Sequence, residues 1–207
     1  MKTRLLALQT LNRIFTRKEY SNIAINNALN NNDLGDKDKR LFTQIVYGVI
    51  KNKILLDHYL KPYLQGKVLK DWMRHLLEMS IYQIIFLDRV PKYAILNDAV
   101  EIAKKVDRNT INSSKLINAV LRNFDETNLN EPIKEETKYS IDAWLFKQLK
   151  GQYKSEYKEI LDSFETETDE IVMLKSIIKM KDTVARDVMV PRIDAKTVNI
   201  NNCVMEI

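Results

Sequence analysis

Apolar residues return along the first 125 positions at intervals of three and four, which is the spacing of one face of a helix. Leu5, Leu8, Leu11, Ile14 and Phe15 predict a first helix from about Thr3 to Arg17, with Lys2, Arg13 and Arg17 together on the opposite side. Ser21 can cap a second helix whose apolar face is Ile23, Ile25, Ala28 and Leu29. Asn30-Asn31-Asn32 and Gly35 read as a loop, after which Asp36 or Asp38 can cap a longer helix. That helix carries Leu41, Phe42, Ile45, Val46, Val49 and Ile50, continues through Leu56 and Tyr59, and stops at Pro62. Polar Lys51-Asn52-Lys53 marks the place where it bends or breaks.

Asp71 opens a densely apolar helix bearing Trp72, Met73, Leu76, Leu77, Ile81, Ile84 and Ile85, expected at the centre of the core. Beyond Pro91, Ala94, Ile95, Ala99, Ile102 and Ala103 mark another helix. Ser113 or Ser114 caps a further one with Leu116, Ile117, Val120 and Leu121. Small Ala94, Ala99, Ala103 and Ala119 allow close helix approach, as in a bundle. Asn128-Leu129-Asn130-Glu131-Pro132 reads as a linker. Trp144, Leu145 and Leu149 then predict a helix closed by Gly151, and Tyr157, Ile160, Leu161 and Phe164 another. The expected organisation is a helical domain over 1–127, a linker and helical extension over 128–166, and a tail over 167–207.

Composition narrows the classes. Four glycines in 207 residues stand far apart, and neither GxGxxG nor GxxxxGK[ST] can be written from them. The lone cysteine, Cys203, excludes a disulfide framework and a cysteine zinc site and fits a reducing cytosol. No transmembrane-length apolar run is found, so no membrane insertion is expected, and Gln9, Asn12 and Arg13 interrupt a briefly signal-like start. The net charge of +5 is unevenly spread. Residues 1–130 hold 21 Lys and Arg against 13 Asp and Glu, whereas residues 131–207 hold 12 against 15. The basic part is therefore the helical one, which points to an anionic partner for it.

A search for catalytic groups returns none. His58 and His75 have no second ligand at metal spacing, no GxSxG elbow exists, and Cys203 has no histidine in the last hundred residues of the sequence. Neither a cofactor nor a metal site is expected. Phe15, Phe42 and Phe86 fall on apolar faces, so they are assigned to the core rather than to base stacking. Positive charge is the remaining signal. Lys2, Arg13, Arg17 and Lys18 on or after the first helix, with Lys37, Lys39 and Arg40 after the loop, can contact phosphates.

Several of these stretches resemble a known family. Tyr20-Ser21-Asn22-Ile23-Ala24, Leu41-Phe42-Thr43-Gln44-Ile45-Val46-Tyr47-Gly48 and Tyr82-Gln83-Ile84-Ile85-Phe86-Leu87 resemble the NusB-like domain. So do Asn97-Asp98-Ala99-Val100-Glu101-Ile102-Ala103-Lys104 and Asn118-Ala119-Val120-Leu121-Arg122-Asn123. The wording is most similar to the domain at the N-terminus of the Sun (RsmB) family of ribosomal RNA cytosine-C5 methyltransferases. Tyr139-Ser140-Ile141-Asp142-Ala143-Trp144-Leu145 resembles the segment that follows there, with Asp142 where proline is usual. The likeness covers about residues 2–165. It implies an all-α, NusB-like RNA-binding bundle that helps seat a methyltransferase on small-subunit ribosomal RNA. The family's S-adenosylmethionine loop and its Pro-Cys or Thr-Cys motif are not found, since Cys203 follows Asn202, so no methylation by this chain alone is expected. Arg13, Arg17, Lys18, Lys39, Arg40 and Arg122 are the expected phosphate contacts.

A shorter likeness lies in the tail. Asp182-Thr183-Val184-Ala185-Arg186-Asp187-Val188-Met189-Val190-Pro191-Arg192 resembles the entry to the paired CBS domains of CorC/HlyC-type proteins, with residues 170–180 similar to the helix before it. About 40 residues are too few for a complete unit, so residues 180–207 are expected to be poorly ordered or merely docked. Such a likeness implies nucleotide sensing. The NusB resemblance carries its own alternative to RNA: a transcription antitermination-type module that pairs with a ribosomal protein.

Overall fold

The computed structural model describes residues 2–107, 111–154 and 156–163, and among them every regular element is helical. In chain order these are α1 (Lys2–Thr16), α2 (Ser21–Asn30), α3 (Asp36–Lys51), α4 (Lys53–Leu64) and α5 (Asp71–Phe86). They are followed by α6 (Lys92–Val106), α7 (Ile111–Asn123), α8 (Glu135–Lys138), α9 (Ala143–Tyr153) and α10 (Tyr157–Ser163). The all-α expectation holds. The long helix breaks at Asn52, whose amide bonds back to the Gly48 carbonyl and whose carbonyl accepts the first bond of α4. Pro62 does not stop α4 but sits in its last turn, and Gln65 ends the helix with a left-handed backbone, φ 49°.

Two caps differ from expectation. Tyr20 and Gly35, not Ser21 and an aspartate, occupy the positions before α2 and α3, and neither makes a side-chain cap bond. Asp36 and Asp38 stand inside the first turn instead, where a negative charge still favours the helix dipole. Gly151 lies within α9 rather than closing it.

The chain divides into two compact units, Met1–Gln152 and Tyr153–Ile207. In the first, α5 is the central helix, packing on α1, α3, α4, α6 and α7. Its run from Met73 to Gln83 is buried on nearly every side, which is why its sequence is apolar almost all round. Polar side chains within that run are individually bonded. Ser80 donates to the Leu76 carbonyl and Gln83 to the Met79 carbonyl. Around α5 the core is filled by Leu8, Leu11, Phe42, Ile45, Leu56, Leu60, Leu121 and Phe124. Each fully buried side chain of this size contributes about 1.5–3 kcal/mol relative to exposure.

Side-chain bonds fix the directions of the helices. Arg4 meets Gln83, Asn12 meets His75 and Thr16 meets Asp71, so α1 and α5 are antiparallel. The Thr3 hydroxyl donates to Asp38 at 2.6 Å, which places the starts of α1 and α3 side by side. Gly48 on α3 faces Tyr82 on α5, and a Cβ at this glycine would overlap the tyrosine ring. The segment after α7 returns to α4. Ser140 Oγ accepts the Ile54 amide at 3.0 Å, and the Asn130 carbonyl lies 2.9 Å from His58 Nε2. In the second unit the described helix is α10, with Tyr157 and Leu161 buried.

Candidate nucleic-acid interface

The six expected phosphate contacts fall into different settings. Arg13, in the last turn of α1, is held by Glu19 through two bonds, Nε to Oε2 at 2.7 Å and Nη2 to Oε1 at 2.6 Å. Such a fork-to-carboxylate pair is geometrically matched and leaves less of the guanidinium for an external anion. Arg17, Lys18, Lys39, Arg40 and Arg122 are all exposed, and their side chains make no ion pair or hydrogen bond among the described residues. Lys18 also holds a left-handed backbone, φ 59°, a conformation that favours glycine.

These residues do not form one patch. Because Asp38 touches Thr3, Lys39 and Arg40 lie beside the start of α1, whereas Arg17 and Lys18 follow its end. At about 1.5 Å per residue, the two groups are separated by about 20 Å along the helix. The direction in which α3 returns beside α1 was not written in the periodicity.

Four features emerge only in three dimensions. Arg4 is turned inward, donating from Nε to Gln83 Oε1 and from Nη1 to Asp98 Oδ2, both at 2.6 Å. It therefore pins α1 to α5 and α6. Phe86, expected in the core, is 41% exposed at the end of α5, with its ring 5.2 Å from that of Tyr82. Ala119, read as a close-packing residue, faces solvent. A partly buried ionic cluster is the fourth. Lys53 Nζ donates to Glu78 Oε1 at 2.6 Å and to Asp57 Oδ2 at 3.0 Å, while Arg74 reaches Asp57 Oδ1 at 3.1 Å.

Glu78 is fully buried, and its Oε2 has no hydrogen-bond partner. Burial pushes its carboxyl up to about 8, against the pull of Lys53 and with the help of the negative Asp57. Burial and the nearby Lys53 charge hold His75 down at about 4, so this histidine is neutral and bonded to Asn12 Oδ1. Glu78 and His75 form the buried side of this cluster, while Asp57 and Arg74 reach the surface. Among the described residues no group of His, Cys, Asp and Glu could hold a metal ion.

Comparison with known proteins places this architecture. Residues 1–126 match the NusB family model. The chain belongs to the NusB family. The transcription antitermination protein NusB of Bacillus licheniformis is 35% identical over 121 residues, which cover 57% of this chain and 89% of that protein. The probable ribosomal RNA small subunit methyltransferase B of Bacillus subtilis (strain 168) is 33% identical over 162 residues, 74% of this chain and 36% of that protein. The corresponding Synechocystis protein is 31% identical over 169 residues, 75% of this chain and 37% of its own. The chain thus spans a little over a third of the methyltransferase relatives. The crystal structure of PH0851 superimposes with a TM-score of 0.66 at 19% identity, covering 82% of this chain and 40% of that one. It shows the shared fold.

The NusB domain therefore comprises α1 to α7 together with the Phe124 plug that follows them. The tail likeness to a CBS entry segment finds no support in these matches, and residues 167–207 lie outside the described ones, as does the expectation about their order. No described helix is long and apolar enough to cross a membrane.

Proposed function

We propose that this NusB domain is a non-catalytic, cytoplasmic RNA-binding module of the kind that forms the N-terminal part of a small-subunit rRNA (cytosine-C5) methyltransferase. Ribosomal RNA is its proposed ligand, and no cofactor is needed. The observation that carries this is the set of exposed cations without an acidic partner among the described residues: Arg17, Lys18, Lys39, Arg40 and Arg122. Unpaired surface cations contribute little to stability, and their cost is recovered when each replaces a counterion on a phosphate. Arg13 belongs to the same proposal in a secondary role, since it must share its guanidinium with Glu19.

Fluorescence anisotropy with a labelled small-subunit rRNA fragment, titrated at several salt concentrations, tests this. The logarithm of the affinity should fall linearly with that of salt, by roughly 0.7–0.9 per phosphate engaged. Replacing Lys39 and Arg40 by Ala should lower that slope, whereas Arg13→Ala alone should change it less. Salt-insensitive binding, or none, overturns the proposal.

A second proposed role is pairing with a ribosomal protein, as an antitermination-type module. It is favoured by the 35% identity that extends over 89% of an antitermination protein. Partners retained by the chain from ribonuclease-treated extract would support it, and their loss on ribonuclease treatment would remove it.

A further inference from the structure

We propose that residues 128–142 are a strap that fixes α9 to the α4 side of the bundle, with Ser140 as its positioning residue. The strap lies beyond the 126 residues that match the family model, and its role is independent of what the bundle binds. The need for it arises at the break between α3 and α4. Asn52 turns its side chain back to α3, where Nδ2 donates to the Gly48 carbonyl at 2.9 Å, so it gives α4 no side-chain cap. The first amides of a helix have no partner within that helix. Those of Ile54 and Leu55 donate instead to Ser140 Oγ, at 3.0 and 3.5 Å. Ser140 brings its hydroxyl there on a left-handed backbone, φ 52°, a conformation that Gly, Asn and Asp adopt more readily than serine.

The rest of the stretch follows α4 backwards from its end to its start. Just ahead of it, the Asp125 amide donates to the Tyr63 hydroxyl at 3.3 Å; the Asn130 carbonyl then lies 2.9 Å from His58 Nε2, and Ser140 stands at Ile54. Leu129 packs against the core, and burial and the Glu131 charge together raise the Tyr59 hydroxyl above its ordinary value. The linker-like sequence from Asn128 to Pro132 is thus tied along α4. Beyond Ser140 the chain enters α9 within three residues. Ile141 is buried, Asp142 Oδ1 accepts the Trp144 amide at 2.8 Å, and Lys150 of α9 reaches Glu135 of α8 at 3.6 Å. A ligand on the bundle therefore keeps a fixed place relative to α9.

The test uses the full chain carrying Cys203→Ser, with spin labels on Lys61→Cys in α4 and Lys147→Cys in α9, both exposed positions. Electron paramagnetic resonance should give one narrow interspin distance distribution. Ser140→Gly eases the left-handed backbone but removes the hydroxyl. It should broaden that distribution and speed amide exchange at Ile54 and Leu55 by about 2- to 30-fold, the range for loss of a helix cap. Ser140→Asn, which keeps an acceptor and tolerates the backbone, should restore both readouts. Retained helical circular dichroism shows that each variant is folded. A broad distribution without the Ser140 change would make the stretch a flexible linker and overturn the proposal. Faster exchange in Ser140→Gly with the distribution still narrow would make Ser140 a cap alone, and overturns its positioning role.

Discussion

Glu78 provides a sharp check on how the core of this bundle is held together. A carboxyl group buried under α4 with one oxygen unpartnered should remain protonated in the native state well above its ordinary value of 4.5, up to about 8. The unfolded chain releases that proton near 4.5. Between these two values the native state binds one more proton than the unfolded state, so stability falls as pH rises. The slope is about 1.4 kcal/mol per pH unit, and 3.5 units give about 5 kcal/mol in all. His75 acts in the opposite sense. Its native value of about 4, below the ordinary 6.5, makes stability rise with pH between those values. The two effects cancel between about 4.5 and 6.5, and the Glu78 loss stands alone from 6.5 to 8. Glu78→Gln isolates the first effect, because the amide keeps an oxygen for Lys53 and cannot ionise. Urea unfolding of both proteins from pH 4.5 to 8.5 should show Glu78→Gln gaining on wild type steadily across that range, by several kcal/mol in total. A difference independent of pH would refute the reasoning. So would wild type gaining on the variant as pH rises, which would mean that Glu78 is ionised and that its pairing with Lys53 outweighs its burial.

Two further outcomes follow from the packing. Gly48→Ala should lower the thermal midpoint, by an amount corresponding to about 1–3 kcal/mol, because the added methyl overlaps the buried Tyr82 ring; an unchanged midpoint would show that the ring can move aside. Ser140→Ala should cost about 1 kcal/mol and speed amide exchange at Ile54, since it removes the oxygen that caps the start of α4; unaltered exchange there would show that the cap is not a real restraint.

Much of this protein was determined locally. Helix positions follow from apolar spacing, and the polar triplet around Asn52 separated α3 from α4 because two helical faces could not be continued through it. The all-round apolar character of α5 marked it as the central helix, since no other placement buries every side. Segments such as residues 41–48, 82–87 and 118–123 carry the NusB resemblance in the sequence itself. Tertiary structure decided what spacing cannot encode, namely which residues from distant positions meet. Arg4 and Arg13 look like other surface cations in the sequence, yet one bridges to Gln83 and Asp98 and the other closes on Glu19. Phe86 has the periodicity of a core residue but stands where α5 ends, with the ring only partly covered. The Thr3–Asp38 bond sets Lys39 beside the start of α1, about 20 Å along that helix from Arg17 after its end. Periodicity assigns a side chain to a face of its own helix; only the packing of one helix against another decides whether that face is covered, paired or open.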